Sequence, residues 1–188
     1  MTYRYQIDAA YRDIYGGALP AHPCMDAPLP EDISEDRPHI AFTPYLQQLT
    51  AGVVDGLEDP LDRARAIYDY LTQHIDYRYQ PPYLLLGSIA DDCAHSLRGD
   101  CGVMALTFIT MCRIAGVPAR WQSGLYVAPD SVGPHDWQSS IRRRPVGSTP
   151  TCHLDLLLAG WGRSGAAITT LAISTRGVWW QQSIPGRV

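Results

Sequence analysis

The chain has 188 residues, 46% of them hydrophobic and 18% charged, which suits one folded domain and excludes a largely disordered segment. A net charge of -4 offers no electrostatic footprint for nucleic acid, and no apolar run is long enough to span a bilayer. Five cysteines are an odd number and too sparse for a small secreted scaffold, so reduced thiols in a cytoplasmic setting are expected.

Met1-Thr2-Tyr3-Arg4-Tyr5 opens without an apolar core, so no signal peptide is expected. Residues 1–40 are rich in proline and acidic around Pro28 to Arg37, which predicts an extended N-terminal arm. Thr43-Pro44 is a helix start, a capping residue followed by proline at the first helical position. Leu46, Leu49 and Val53 then share a face, and Gly56 ends the element. Asp59-Pro60 is a second such start. Leu61, Ala64, Tyr68, Leu71 and Ile75 recur at alternating steps of three and four, the mark of an amphipathic helix to about His74.

Tyr77-Arg78-Tyr79 reads as a strand, Pro81-Pro82 breaks the chain, and residues 83–99 read as a loop. Gly99-Asp100-Cys101-Gly102 then opens an apolar run from Val103 to Cys112, predicting a helix buried on most sides and stopped by Gly116 and Pro118. Ala119 to Val127 reads as a strand. A turn at Pro129-Asp130-Ser131 leads to a second strand entered near His135. Helices first and antiparallel strands after give an α+β fold, with the core over 41–137. Leu154 to Leu158 reads as one further short strand.

Composition changes after Trp137. Every basic residue is arginine. Residues 1–137 carry 9 Arg against 18 Asp and Glu, whereas residues 138–188 carry 6 Arg against the single Asp155. The segment 138–188 also has no Tyr and no Phe, so it reads as an atypical tail.

Cys101 carries the chemistry. A thiol in the first helical turn meets the positive end of the helix dipole and unpaired N–H groups, both of which favour thiolate. Against this stands the ordinary fate of a free cysteine, a small buried hydrophobe. Its place between Gly-Asp and Gly, at a helix start, favours the nucleophile. Cys112, inside the helix, reads as structural, and Cys24 and Cys93 fall in loops with no evident base.

A thiol nucleophile needs a base, and His135 in Gly133-Pro134-His135-Asp136-Trp137 is the candidate. Taken alone it is a surface-loop histidine; paired with Cys101 it can accept the thiol proton and return it to a leaving amine. His95 is a competitor. Cys93, His95 and Cys101 could form a partial zinc site, but no Cys-x-x-Cys knuckle supports one, and neither metal nor cofactor is expected.

The stretches Gly99 to Val103, Phe108 to Gly124 and His135-Asp136-Trp137 resemble the bacterial transglutaminase-like proteins, whose core is similar to that of papain-type cysteine proteases. The likeness runs from about Pro38 to Trp137. It implies a Cys–His–Asp triad in that order, with the cysteine at a helix N-terminus and the other two on adjacent strands. Cys101 matches the nucleophile and His135 the base, on a peptide or protein substrate. The Cys101 backbone N–H would serve the oxyanion, with the second donor unassigned.

The third member is where this chain departs. The family pattern continues as H-D-W-A-x-F-Y, G-W-L and an Asp shortly before Ser, whereas Trp137 is followed here by Gln138-Ser139-Ser140. Asp155 is the only acidic residue left and stands outside that context. Reading shifted codons from Trp137 onward can regenerate three ordered blocks of the family pattern, so residues 138–188 read as an out-of-frame tail with an incomplete C-terminal sheet. Two functions follow: a cysteine acyl-transfer enzyme, more readily hydrolytic, or an inactive binding module with a truncated triad.

Overall fold

A computed structural model describes residues 28–78, 82–128, 131–141, 153–158 and 169–172. Residues 1–27 of the expected arm, Cys24 among them, lie outside the described residues. So do the Arg142-Arg143-Arg144-Pro145 and Trp161 to Gly165 stretches of the tail.

Four helices come first. Helix α1 runs Pro44–Val53, with the Thr43 hydroxyl accepting the Leu46 N–H at 3.2 Å. Helix α2 runs Pro60–His74, with Asp59 accepting the Leu61 N–H at 2.7 Å. Both begin where their cap-proline pairs predict. Helix α3, Ile89–Ser96, falls in the stretch expected to be loop. It is only eight residues long, and its order comes from packing: Ile89, Ala90, Cys93 and Ala94 are buried. Its local signals were Ser88, whose hydroxyl accepts the Asp91 N–H, and the acidic first turn of Asp91 and Asp92. Helix α4, Cys101–Ile114, is buried from Gly102 through Arg113 and packs on α1, α2 and α3.

The strands form two sheets. β1 (Asp76–Tyr77) and β2 (Arg98–Gly99) pair in parallel, Asp76 with Arg98 and Tyr77 with Gly99. The expectation of antiparallel strands alone is corrected here. This short pair ties the end of α2 to the residues just before Cys101. The second sheet is antiparallel, in the order β3 (Ala119–Ala128), β4 (Ser131–Ile141), β5 (His153–Leu158) and β6 (Thr169–Ala172). β5 covers the strand expected at Leu154 to Leu158, and both β5 and β6 are drawn from within 138–188. β3 and β4 lie against α4.

The core is built on α4, where Met104, Phe108, Ile109 and Met111 meet Ile67, Leu71 and Ile75. Residues 28–40 fold onto this core. Asp32, in a 3-10 turn over Pro30–Asp32, binds Arg120 of β3 through two contacts of 2.6 and 2.7 Å. Arg113 of α4 donates to the Ser34 carbonyl at 2.9 Å. Among the described residues no helix is long and apolar enough to cross a membrane.

Candidate active site

Cys101 is the first residue of α4 and is partly exposed, unlike the residues that follow it. Asp100 caps the helix: its Oδ1 accepts the Val103 N–H at 2.9 Å. The same oxygen accepts the Tyr83 hydroxyl at 2.5 Å, from a short 3-10 turn over Tyr83–Leu85. The Cys101 sulfur is bordered by the backbone N–H groups of Gly102, on its own helix, and of Asp136 on β4. The Tyr77 phenol, from β1, lies close to the Cys101 thiol and N–H.

Gly102 lies beneath this cluster. A Cβ there would stand 2.6 Å from the Tyr83 hydroxyl, 3.1 Å from Asp136 Oδ2 and 3.3 Å from Trp121 Cη2. A phenol, a carboxylate and an indole thus converge over the first turn of α4 because residue 102 lacks a side chain. Tyr83 is held by Asp100 and cannot simply swing away. Gly102→Ala is expected to cost about 1–3 kcal/mol, the usual range for overpacking, read as a lowered denaturation midpoint.

The electrostatics differ from the first expectation. Burial raises the Cys101 thiol above its ordinary value; the charges of Asp136 and Asp100 raise it further, against the two N–H groups on the sulfur. The helix start therefore does not by itself deliver a thiolate, and the sulfur needs a partner that takes its proton. Asp136 is raised too, by burial and then by the nearby Asp100 charge. Burial and then the Cys101 and Asp100 charges raise Tyr77, whereas burial and the bond to Asp100 raise Tyr83 much further.

The other candidates are dispersed. His135 lies in β4, paired with Gly124 of β3 and one residue before the Asp136 N–H that meets the sulfur. Its side chain, like those of Tyr126 and Trp137, lies outside those described. Asp155 is in β5 opposite Ser139, four residues along β4 from His135, or about 13 Å at the rise of a strand.

His95 is on α3, exposed, stacked on Tyr45 with ring centroids 3.9 Å apart, and 2.9 Å from the Asp91 carbonyl. Cys93 is no loop residue; it is buried in α3, and burial pushes its thiol up to about 11. Cys93, His95 and Cys101 do not converge, and no three metal-binding side chains do so among the described residues. Cys112 is fully buried in α4, and burial holds its thiol well above the ordinary range. Sequence reasoning missed Tyr77, Tyr83 and Asp136 as neighbours of the thiol. Asp136 stood inside the histidine motif, but the two tyrosines carried no local signal.

Comparison with known proteins agrees with this architecture. The sequence matches the profile of the Transglutaminase-like superfamily over residues 47–148, more than half of the chain. No curated protein matches it. Two solved structures share its fold at a TM-score of 0.50. A candidate cysteine protease from Cytophaga hutchinsonii is 20% identical, with 58% of this chain and 37% of that one covered. The periplasmic domain of TgpA from Pseudomonas aeruginosa is 18% identical, with 66% of this chain and 44% of that one covered. The match thus spans less than half the length of either. A buried helix headed by a cysteine, a sheet packed on that helix and a profile match across both lead to one assignment: the chain belongs to the transglutaminase-like superfamily.

Proposed function

We propose that the chain is a cysteine acyl-transfer enzyme acting on peptide-bond or glutamine carboxamide groups, with Cys101 as nucleophile and His135 as base. The imidazole takes the thiol proton, and the sulfur attacks the carbonyl carbon. The carbonyl oxygen gains the negative charge and is received by the Cys101 N–H. The tetrahedral intermediate then collapses, the amine leaves with the proton held by His135, and water resolves the thioester. Hydrolysis is preferred to amine transfer because water is always present. A reducing, cytoplasmic setting goes with this reading, since the sulfur must stay reduced to act.

The observation that carries the reading is the meeting of α4 and β4 at the sulfur. Asp136 Oδ2 stands 3.1 Å from where a Gly102 Cβ would be, so the strand that holds residue 135 borders the first turn of α4 beside the thiol. The Tyr77 phenol lies beside the Cys101 N–H, where a substrate oxygen would gather charge. Tyr77 is thereby the candidate for the second oxyanion donor.

A second reading, an inactive binding module, is favoured by the same electrostatics: burial and two carboxylates hold the thiol up. A peptide chloromethyl ketone separates the two readings. The enzyme gives an adduct confined to Cys101 at neutral pH that depends on His135. Labelling that ignores His135→Ala, or spreads over the cysteines, sinks the enzyme.

The same reading divides the chain into an N-terminal segment at 1–40, of which residues 28–40 fold onto the core, a core at 41–137 and an out-of-frame tail at 138–188. Resequencing across the Trp137 codon tests the tail. An uninterrupted frame that reproduces 138–188, with relatives sharing it, removes the frameshift.

A further inference from the structure

We infer that Tyr83 is a positioning residue of the nucleophile: its hydroxyl fixes the Asp100 carboxylate on the first turn of α4 and draws that negative charge away from the Cys101 sulfur. The inference rests on Cys101 being the nucleophile and adds the group that governs its reactivity.

Asp100 is the residue before Cys101, so its charge cannot be far from the sulfur, and it does raise the thiol. Its Oδ1 takes two donors, the Val103 N–H at 2.9 Å and the Tyr83 hydroxyl at 2.5 Å. The first is an ordinary helix cap. The second comes from 17 residues upstream, from a separate turn, and has no capping purpose. Donors on a carboxylate oxygen stabilise its charge where it sits and fix its rotamer. The seat for the phenol exists because residue 102 is glycine; a Cβ there would lie 2.6 Å from the hydroxyl.

The charged and titratable groups facing this point are few among the described residues. Asp100 comes from the helix cap, Asp136 from β4, Tyr77 from β1, Tyr83 from the 3-10 turn and the buried Cys93 thiol from α3, while β3 contributes the uncharged Trp121. His135 on β4 is the proposed base. Burial and the bond to Asp100 keep the Tyr83 proton in place throughout the working pH range. The hydroxyl is therefore a constant donor, and its partner Asp100 is the charge it acts on.

The experiment is the pH profile of Cys101 alkylation by iodoacetamide, followed on the Cys101 peptide by mass spectrometry. Four proteins are compared: the parent, Tyr83→Phe, Asp100→Asn and the double variant. Asparagine caps a helix about as well as aspartate, so Asp100→Asn removes the charge and keeps the cap. Tyr83→Phe is expected to move the midpoint up by about half a pH unit, roughly a threefold slower reaction below it. Asp100→Asn is expected to move it down. In the Asp100→Asn background, Tyr83→Phe is expected to have no further effect.

A midpoint unmoved by Tyr83→Phe, or moved equally in both backgrounds, overturns the inference, because a merely structural phenol would not depend on the Asp100 charge. Should Tyr83→Phe fail to fold, Asp100→Asn alone still decides: a midpoint that stays or rises overturns it. Iodoacetamide needs no acyl donor. Failure of the peptide reagent to react with Cys101 would thus count against the acyl-transfer reading while leaving this comparison intact.

Discussion

His135→Ala is expected to slow the acylation of Cys101 by roughly a hundred- to ten-thousand-fold at neutral pH, the span that a positioned general base contributes. The size of the effect follows from the state of the sulfur. Burial and the charges of Asp136 and Asp100 hold the thiol above its ordinary value, so little thiolate exists at neutral pH without a proton acceptor. A nucleophile already ionised by its helix start would lose far less on removal of the histidine. The pH dependence has a definite sign. As pH rises through the thiol's own titration, the sulfur ionises without help and the gap between parent and variant narrows. Acylation rates with an activated peptide ester, measured from neutral to alkaline pH, give both quantities. A gap that is small at neutral pH, or that does not narrow, removes His135 from the role.

What the sequence revealed about this site depended on how local each signal was. Thr43-Pro44, Asp59-Pro60 and Gly99-Asp100 each place a cap beside a helix, and α1, α2 and α4 start there. Cys101 was legible for the same reason, since a cysteine just inside a capped helix is a feature of consecutive residues. Helix α3 was not, because its eight residues depend on the burial of Ile89, Ala90, Cys93 and Ala94. The surroundings of the thiol were less legible still. Tyr77 arrives through a parallel two-residue strand pair, Tyr83 through a separate turn, and Asp136 through the register of β4. None has a periodicity that marks it, and it is burial, with the charges of Asp136 and Asp100, that reverses the direction in which the helix start alone would move the thiol. The same limit applies to Asp32 and Arg120, 88 positions apart in the chain.

That distant pair carries the largest stability effect. Asp32→Asn is expected to destabilise the protein by about 3 kcal/mol at neutral pH, the low end of the cost of breaking a buried ion pair. Asp32 is 2% exposed, and its two oxygens take the Arg120 guanidinium at 2.6 and 2.7 Å. Arg120 keeps a quarter of its side-chain surface in contact with solvent, at 26%, which is why the low end applies.

Burial acts to raise the Asp32 carboxyl. The hydrogen bonds from Arg120 and the Leu29 N–H and the charges of Arg120 and Arg113 outweigh it, so the folded-state value is lowered. A lowered carboxylate contributes stability that is fully present above the unfolded-state value and is lost as pH falls through the folded one. Asparagine imitates the protonated acid in shape but never carries the charge. The difference in unfolding free energy between parent and Asp32→Asn should therefore be constant near neutrality and shrink from about pH 4 downward. Denaturant titrations at a series of pH values measure it. A difference that stays constant into acid would mean that packing alone holds the N-terminal segment to β3. A shrinking one identifies the Asp32 charge as the group that fastens residues 28–40 to the strand beside the candidate active site.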